Sequence, residues 1–509
     1  MSQNQETRPL LLNNSLDPKD SQDDTFSKIE VTKSLISLAI PISFQTAMVY
    51  MNQVVNIYFC GYDPDPVVVA GAGLGITYIN VAFIAASLGL NGAMQSLVAQ
   101  SYGAGNHRQC GVYVNRARVV VSIWLPIVIL ISFFLGSILA AIGINQQTAN
   151  VAQIYTTRAL PGYIALMYFD VARQFLVALG KPLLSTYIQA ITGILHVLIC
   201  YISIVKYELP YYFTAYSTSL QILANFGIIH LILYLDPQYK SSWFIGGKET
   251  FQNLAAYAKL AVLSGLLQCF EYAGFEIFCV ISGYISVASN AAQVIILTIY
   301  ISFYQIPLGI MMSNTTIIGQ LIGQRKSKLA KAQSSFIIKL NSIFGLITGT
   351  IIILLRKQLS RIFSQNDEVI EITSHTLIFA GICHALDFIY SVQAGSIRAL
   401  TKFNHAVVGG LVAFYVIACP LGCLFALYLK LGVPGIWFGQ IIGLFLIAIY
   451  FQYLLSWGFD WDLITQQSYE RQNEDLQLQL KQDDLLVKNN DFESTKKEDY
   501  QAIEQQVQP

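Results

Sequence analysis

The stretch LGLNGAMQSLVAQSYGAGN (88–106) aligns without gaps with a later stretch, LGIMMSNTTIIGQLIGQRK (308–326). Four residues recur exactly 220 positions later: Leu88 as Leu308, Gly89 as Gly309, Gln100 as Gln320 and Gly103 as Gly323. Two shorter patches repeat in the same order, IYFCGY (57–62) as CVISGY (279–284) and LGK (179–181) as LTK (400–402), at offsets of 222 and 221. Three patches at one nearly constant spacing indicate an internal duplication.

The composition shows what kind of unit is duplicated. The chain has 509 residues, of which 54% are hydrophobic and 12% charged, about half the charge of a soluble protein. A membrane span needs ~20 mostly apolar residues. Twelve such segments are centred near residues 45, 80, 128, 165, 193, 223, 268, 303, 345, 383, 417 and 446. We therefore predict an all-α integral membrane protein with twelve transmembrane helices.

The offset of about 220 residues spans six helices. Because six is an even number, both halves have the same orientation and form a parallel repeat of two six-helix lobes. That architecture places a substrate cavity between the lobes. The predicted divisions are an N-terminal tail (1–32), an N-lobe (33–236), an inter-lobe loop (237–253), a C-lobe (254–457) and a C-terminal tail (458–509). The C-terminal tail is rich in Gln, Glu, Asp and Lys from about Asp460, which predicts disorder or a loose helix.

Charge placement predicts orientation and excludes several functions. With both tails in the cytoplasm, the inner connections hold twelve Lys and Arg residues and the outer ones six, as the positive-inside rule requires.

The net charge is zero and no basic patch occurs, so we expect no nucleic-acid partner. The eight cysteines are scattered and are interpreted as buried small hydrophobes. Without HExxH, Walker or histidine-ligand patterns, we expect neither an enzyme nor a metal site nor a cofactor.

Four acids lie at membrane depth: Asp170, Glu271, Glu276 and Asp387. Each costs at least ~2.5–3.5 kcal/mol on insertion scales. Asp170 precedes Arg173 by three residues, so we interpret these two as a pair that neutralises itself on one helix face.

Glu271 and Glu276 belong to the stretch CFEYAGFEIF (269–278). The nearest base on their helix, Lys259, is about three turns away, and five helical positions separate their side chains by about 140°. A carboxyl group in such a place holds either a proton or a substrate cation, and this exclusion is the basis of antiport.

Asp387 has His384 on the same helix face. This pair predicts either a proton site or a contact that only ties helices together. The nearby aromatics Tyr300, Phe303 and Tyr304 either line a cation cavity through their π-faces or pack in the ordinary way.

From about Leu35 to Trp457 the chain resembles the multidrug and toxic compound extrusion (MATE) transporters, in particular their eukaryotic branch. The resemblance rests on GLNGAMQSLVAQSYGAGN, CFEYAGFEIFCVISG, QIPLGIMMSNTTIIGQLIG and GSIRALTKFNHAVVGG followed by LGVPGIWFGQIIG. It implies that Glu271 and Glu276 are the two acids of the family's glutamate motif. It also places Asp387 at the family's helix-10 acid, with His384 at a matching upstream position.

The resemblance further places Gln45 and Asn80 on first-half positions that line the family's cavity. Two positions depart from the pattern. Asn56 stands where bacterial relatives often carry an acid, so we expect no proton site in the first half. Of the helix-8 tyrosine pair of animal members, Tyr304 is present, whereas the partner position is Leu297.

The resemblance implies export of small organic cations in exchange for protons by alternating access, with sodium as an alternative coupling ion. Glu271 would be the shared proton and substrate site, tuned by Glu276 and Asp387. The expected partners are the substrate and the lipid bilayer, and we expect a monomer. One rival is a lipid-linked oligosaccharide flippase, which predicts a cationic cavity. The other rival is a channel or receptor, which needs no titratable cavity acids.

The sequence ETRPLL (6–11) has the form of an acidic dileucine sorting signal. It favours a vacuolar or endolysosomal membrane, with the plasma membrane as the alternative.

Overall fold

The computed structural model describes residues 26–475 and 477, and the placement of the Glu276 side chain lies outside this description. Twelve long helices dominate it: α1 (Lys28–Cys60), α2 (Pro66–Gly103), α3 (His107–Ala141), α4 (Gln146–Ala178), α5 (Leu183–Lys206), α6 (Phe213–Leu235), α7 (Leu254–Gly283), α8 (Val287–Gly323), α9 (Ser327–Leu354), α10 (Asp367–Ala399), α11 (Phe403–Tyr428) and α12 (Val433–Gly458). Each predicted centre lies inside one of these helices. The all-α fold class is confirmed.

Eleven of the twelve helices are long and apolar enough to cross a membrane. The other, α4, is 33 residues long, but it carries Arg158, Asp170 and Arg173, which lower its hydropathy. Its length equals that of α1 and α10, which are both apolar enough to span. The protein is therefore an integral, multi-pass membrane protein in which one span retains an internal ion pair.

Two groups of six helices form the two lobes, α1–α6 and α7–α12, which meet along a small number of helices. Helix α1 packs against α8, α2 packs against α7, and α2 also packs against α8. The duplication relates α1 to α7 and α2 to α8, so the first two contacts are equivalent. The third contact lies on the axis that relates the lobes, as the predicted two-lobed parallel repeat requires.

The repeated glycines occupy this axis. A Cβ atom at Gly103 would lie 2.1 Å from the carbonyl oxygen of Gln320, and one at Gly323 would lie 1.9 Å from the carbonyl oxygen of Gln100. Each glycine therefore lets the end of its own helix approach the backbone of the other lobe, a use of small residues that is common between membrane helices.

The two repeated glutamines complete the contact. Gln100 donates from Nε2 to the carbonyl oxygen of Ala399 at 2.6 Å, and Gln320 donates from Nε2 to that of Ala178 at 2.9 Å. Ala178 and Ala399 immediately precede the repeated LGK and LTK patches, so these two hydrogen bonds are equivalent under the duplication. We call Gln100, Gly103, Gln320 and Gly323 the latch, and the end of the lobes that they join the closed end.

Residues 461–475 form a further helix, which we call the C-terminal helix. The sequence predicted disorder or a loose helix from about Asp460. Over residues 461–475 the helix is packed rather than loose, because Trp461, Ile464 and Asp475 are buried. Its buried stripe mixes apolar and polar side chains, so the hydropathy of this segment shows little helical periodicity. Residues 476 and 478–509 of the predicted tail lie outside the described residues.

The connection between α9 and α10 contains a short helix, Arg356–Phe363.

Candidate functional site

A cavity with about 1110 Å³ of empty space, including its open mouth, lies between the lobes next to the middle of α1, α2 and α8. The N-lobe supplies most of its polar wall: Thr46, Gln53, Asn80, Ser87, Asp170, Arg173 and Gln189. The C-lobe supplies most of its aromatic wall, together with one acid: Glu271, Tyr272, Phe275, Tyr300 and Tyr304. Such a mixture of apolar surface with a small number of polar groups is typical of small-molecule sites.

A π-helical turn in α2, Asn80–Ala85, shapes the N-lobe wall. Asn80 and Ile84 on this turn face the cavity, and the side chain of Gln53 on α1 donates a hydrogen bond to Asn80 Oδ1. Turns of this kind interrupt the regular α-helical spacing and occur frequently at functional sites.

Glu271 is the C-lobe acid on the cavity wall, and only 7% of it is exposed. Its Oε1 accepts a hydrogen bond from the hydroxyl of Tyr390, and its Oε2 accepts one from Nε2 of Gln268 at 2.9 Å. Both donors are neutral. Arg398 lies nearby, where a terminal nitrogen donates to Gln268 Oε1 at 3.2 Å, and its charge acts on Glu271 across space. Among the described residues Glu271 forms no salt bridge, so no cationic side chain contacts its carboxylate directly.

Asp387 lies behind the cavity wall with 3% of its surface exposed. The hydroxyl of Tyr300, a wall residue, donates to Asp387 Oδ2. The ring of Tyr300 is fixed in turn by Trp437, at 4.9 Å between ring centroids. Tyr300 is therefore the polar connection between the cavity and the second acid.

His384 does not pair with Asp387 as the sequence suggested. Within the described residues both of its ring nitrogens lack a hydrogen-bond partner. The ring packs edge-on against Phe388 at 5.2 Å and against Tyr300 and Phe303, each at 6.0 Å. His384 is thus an aromatic packing residue in this state.

The other predicted site residues fall in different places. Asn80 and Tyr304 line the cavity. Gln45 is fully buried outside the wall, where its Nε2 donates to the carbonyl oxygen of Pro182 at 2.8 Å and ties α1 to the start of α5. The side chain of Glu276 lies outside the described part of the molecule.

Asp170 and Arg173 form the expected ion pair. The guanidinium donates from Nε at 2.9 Å and from a terminal nitrogen at 2.5 Å to Asp170 Oδ1. The other carboxylate oxygen accepts hydrogen bonds from Ser87, Asn91 and Gln174 at 3.0, 2.9 and 2.7 Å. Sequence reasoning predicted the pair but not its position on the cavity wall. Because Asp170 is compensated, the net charge of the described wall comes from Glu271.

Tyr390 and Gln268 are the site residues that sequence reasoning missed. Gln268 precedes Glu271 by three positions, a spacing that places both side chains on one helix face. Tyr390 lies on another helix, α10, so no local spacing connects it to Glu271.

The sequence model of the family described as MatE matches residues 41–202 and, a second time, residues 264–424. The chain belongs to the MatE family. The two matched segments of this MatE chain lie one in each lobe, which agrees with the internal duplication.

Relatives from animals and plants support the same assignment. The MatE chain is 25% identical over 455 residues to "Multidrug and toxin extrusion protein 1" of Xenopus tropicalis, covering 89% of this chain and 78% of the relative. It is 24% identical over 441 residues to "Protein DETOXIFICATION 17" of Arabidopsis thaliana, covering 86% of this chain and 91% of the relative. The eukaryotic resemblance seen in the sequence is confirmed.

A solved structure shares the fold. The crystal structure of the eukaryotic MATE transporter AtDTX14 superposes with a TM-score of 0.82 at 19% identity, covering 88% of this chain and all of that one. The family and its curated relatives identify the chain as a membrane transporter.

Proposed function

We propose that this MatE transporter exports small organic cations in exchange for protons by alternating access. The observation that carries the proposal is Glu271, a buried carboxylate on the cavity wall without an ion-pair partner among the described residues. A bare charge in such an environment is costly. The carboxylate is therefore stable with a bound proton or with a bound cation, and each ligand displaces the other.

The aromatic wall supports the choice of an organic cation. Tyr272, Phe275 and Tyr304 line the cavity beside Glu271, and the faces of such rings attract cations by roughly 0.5–2 kcal/mol each. Tyr390 and Gln268 hold the carboxylate oxygens in place through hydrogen bonds. Orientation of the acid therefore precedes substrate binding, and less ordering is required when the cation arrives.

The exchange follows from these contacts. A cation that enters the cavity replaces the proton on Glu271, and the lobes then rock about their interface. On the other side a proton returns to Glu271 and releases the cation. A ligand shifts the balance between the two lobe arrangements only if its affinity differs between them, and occupation of a buried acid by a proton or a cation supplies that difference. Asp387, held by Tyr300, tunes this occupation.

The flippase alternative needs a cationic cavity that can hold a pyrophosphate. In the described wall the guanidinium of Arg173 is occupied by Asp170, and Glu271 adds a negative charge. A channel or receptor would have no need for an uncompensated cavity acid. Both alternatives therefore fit the cavity less well than cation antiport.

The test is uptake of a fluorescent organic cation into proteoliposomes driven by an imposed pH gradient. Glu271→Gln keeps the size and polarity of the side chain but cannot exchange a proton, so we expect gradient-driven uptake to fall at least tenfold. Glu368→Gln, the same change at an exposed position, should leave uptake unchanged. Full uptake by inserted Glu271→Gln protein would refute the proposed mechanism, and uptake driven equally by a sodium gradient would reassign the coupling ion.

We further propose that the protein is a monomer in a vacuolar, endolysosomal or plasma membrane. Both of its tails would lie on the cytoplasmic side. The excess of Lys and Arg in the inner connections supports this orientation. The closed end, from which the C-terminal helix extends, would then face the cytoplasm.

A further inference from the structure

The C-terminal helix lies across the closed end and contacts both lobes. Its buried side chains recur at helical spacing along one face: Trp461, Thr465, Ser468, Gln472 and Asp475. The connection from α12, which ends at Gly458, consists only of residues 459–460. The helix is therefore fixed closely to the C-lobe.

The contact with the N-lobe centres on Asp475, which is only 4% exposed. Its carboxylate accepts hydrogen bonds from Gln109 Nε2 at 2.6 Å and from the hydroxyl of Tyr113 at 3.0 Å. Arg116 forms a salt bridge with it at 3.5 Å. Loss of one partner from a buried ion pair leaves an uncompensated charge. We therefore expect removal of either Arg116 or Asp475 alone to weaken the contact strongly.

Different residues of the same helix hold the C-lobe. The hydroxyl of Ser327 at the start of α9 bonds to the carboxylate of Asp462. The guanidinium of Arg325 lies 4.2 Å from the centre of the Tyr469 ring. One rigid helix is thereby attached to both lobes.

The C-terminal helix also acts on the latch. Gln100 donates to Ala399 across the lobe interface, and its Oε1 accepts hydrogen bonds from Ser468 Oγ at 2.7 Å and from a terminal nitrogen of Arg471 at 2.5 Å. The helix therefore fixes the side-chain amide of Gln100 in the orientation that bridges the lobes. Gln320 makes the equivalent inter-lobe bond with its own amide, to Ala178.

We propose that the C-terminal helix is a built-in lock that holds the closed end shut and must release the N-lobe before that end opens. The short connection keeps the helix with the C-lobe when the lobes separate. The contacts that break are therefore those of Asp475 with α3 and those of Ser468 and Arg471 with Gln100, whereas the hydrogen bond of Asp475 with Asn253, directly before α7, lies on the C-lobe side. This inference rests on the alternating-access part of the proposed function and is independent of the substrate and the coupling ion.

The test measures the distance between the lobes in the full-length protein in lipid nanodiscs. Spin labels are attached at Lys240→Cys and Lys328→Cys, both exposed, with the native cysteines replaced by alanine. Lys240 lies in the inter-lobe loop, which packs on the N-lobe through the rings of Trp243 and Phe175 at 5.2 Å, and Lys328 lies in the C-lobe. The variant carries Arg116→Gln together with Asp475→Asn, which removes the pair without leaving a buried charge. We expect the ratio of long to short distances to rise about tenfold, which corresponds to ~1.4 kcal/mol.

Glu474→Gln is the matched control because it removes one negative charge from the exposed face of the same helix. It should leave the distances unchanged, whereas Arg471→Gln, which removes a donor to Gln100, should shift them in the same direction as the double variant. An unchanged distance distribution in the folded double variant would overturn the lock, and so would an equal shift in Glu474→Gln. Failure of pH-driven cation uptake would overturn the proposed coupling and leave these distances as a separate measurement.

Discussion

At the scale of single residues, the two lobes use buried acids in opposite ways. Asp170 is matched by Arg173 and by three neutral donors. Glu271 has neutral donors from Tyr390 and Gln268 and no cation of its own among the described residues. The same chemical group is thus paired with a cation in one lobe and has only neutral hydrogen-bond donors in the other, which is the difference on which the proposed exchange at Glu271 rests.

Asp170→Asn should destabilise the protein by about 3 kcal/mol, because it leaves Arg173 buried without its counter-charge. The measurement is thermal unfolding in detergent followed by intrinsic fluorescence. Adding Arg173→Gln to the same protein should restore most of the loss, since no unpaired charge then remains. If the double variant were as unstable as Asp170→Asn, the loss would arise from the hydrogen bonds of Ser87, Asn91 and Gln174 rather than from the ion pair.

At the scale of helices, hydropathy and the repeat predicted all twelve long helices. Eleven of them are apolar enough to cross a membrane, because a membrane imposes a length of apolar residues that the sequence displays directly. The C-terminal helix escaped this reasoning because Ser468, Gln472 and Asp475 occupy its buried face. Their partners lie on other helices, so no local pattern marks them as buried. The same limit applies to the site, where Gln268 was visible from spacing and Tyr390 was not.

The repeated glycines of α2 and α8 yield a prediction about these helices. Gly103→Ala and Gly323→Ala each place a methyl group within about 2 Å of a backbone oxygen of the other lobe, and overpacking of this kind costs about 1–3 kcal/mol. Both variants should therefore shift the spin-label distances towards the separated state, by similar amounts because the duplication makes the two contacts equivalent.

Gly73→Ala in the same helix α2 is the control, because nothing lies within 4 Å of its added Cβ. A shift in that variant equal to the one at Gly103 would show that helix propensity, and not contact between the lobes, is responsible.

At the scale of the whole molecule, the lobes differ in charge at the cavity and are joined at the closed end by the latch and the C-terminal helix. In the proposed mechanism, occupation of Glu271 changes the charge inside the cavity, whereas the latch and the C-terminal helix set how easily the lobes separate. The proposed transport cycle requires both features. A bound proton or cation moves the lobes only if it changes the free-energy difference between their two arrangements, and the contacts at the closed end contribute to that difference.

The binding of proton and cation to one acid predicts a reciprocal linkage in the purified transporter. If both ligands compete for Glu271, the affinity for a fluorescent cation should fall by about tenfold for each unit by which the pH is lowered, over the range in which the acid takes up a proton. Binding is measured by fluorescence polarisation in detergent across a series of pH values. Glu271→Gln should bind the cation weakly and without this pH dependence. Asp387→Asn should keep the pH dependence and move its midpoint, because Asp387 lies behind the cavity wall and is connected to it through Tyr300. A full pH dependence in Glu271→Gln that disappears in Asp387→Asn would place the exchanging proton on Asp387 and make Glu271 the substrate contact alone.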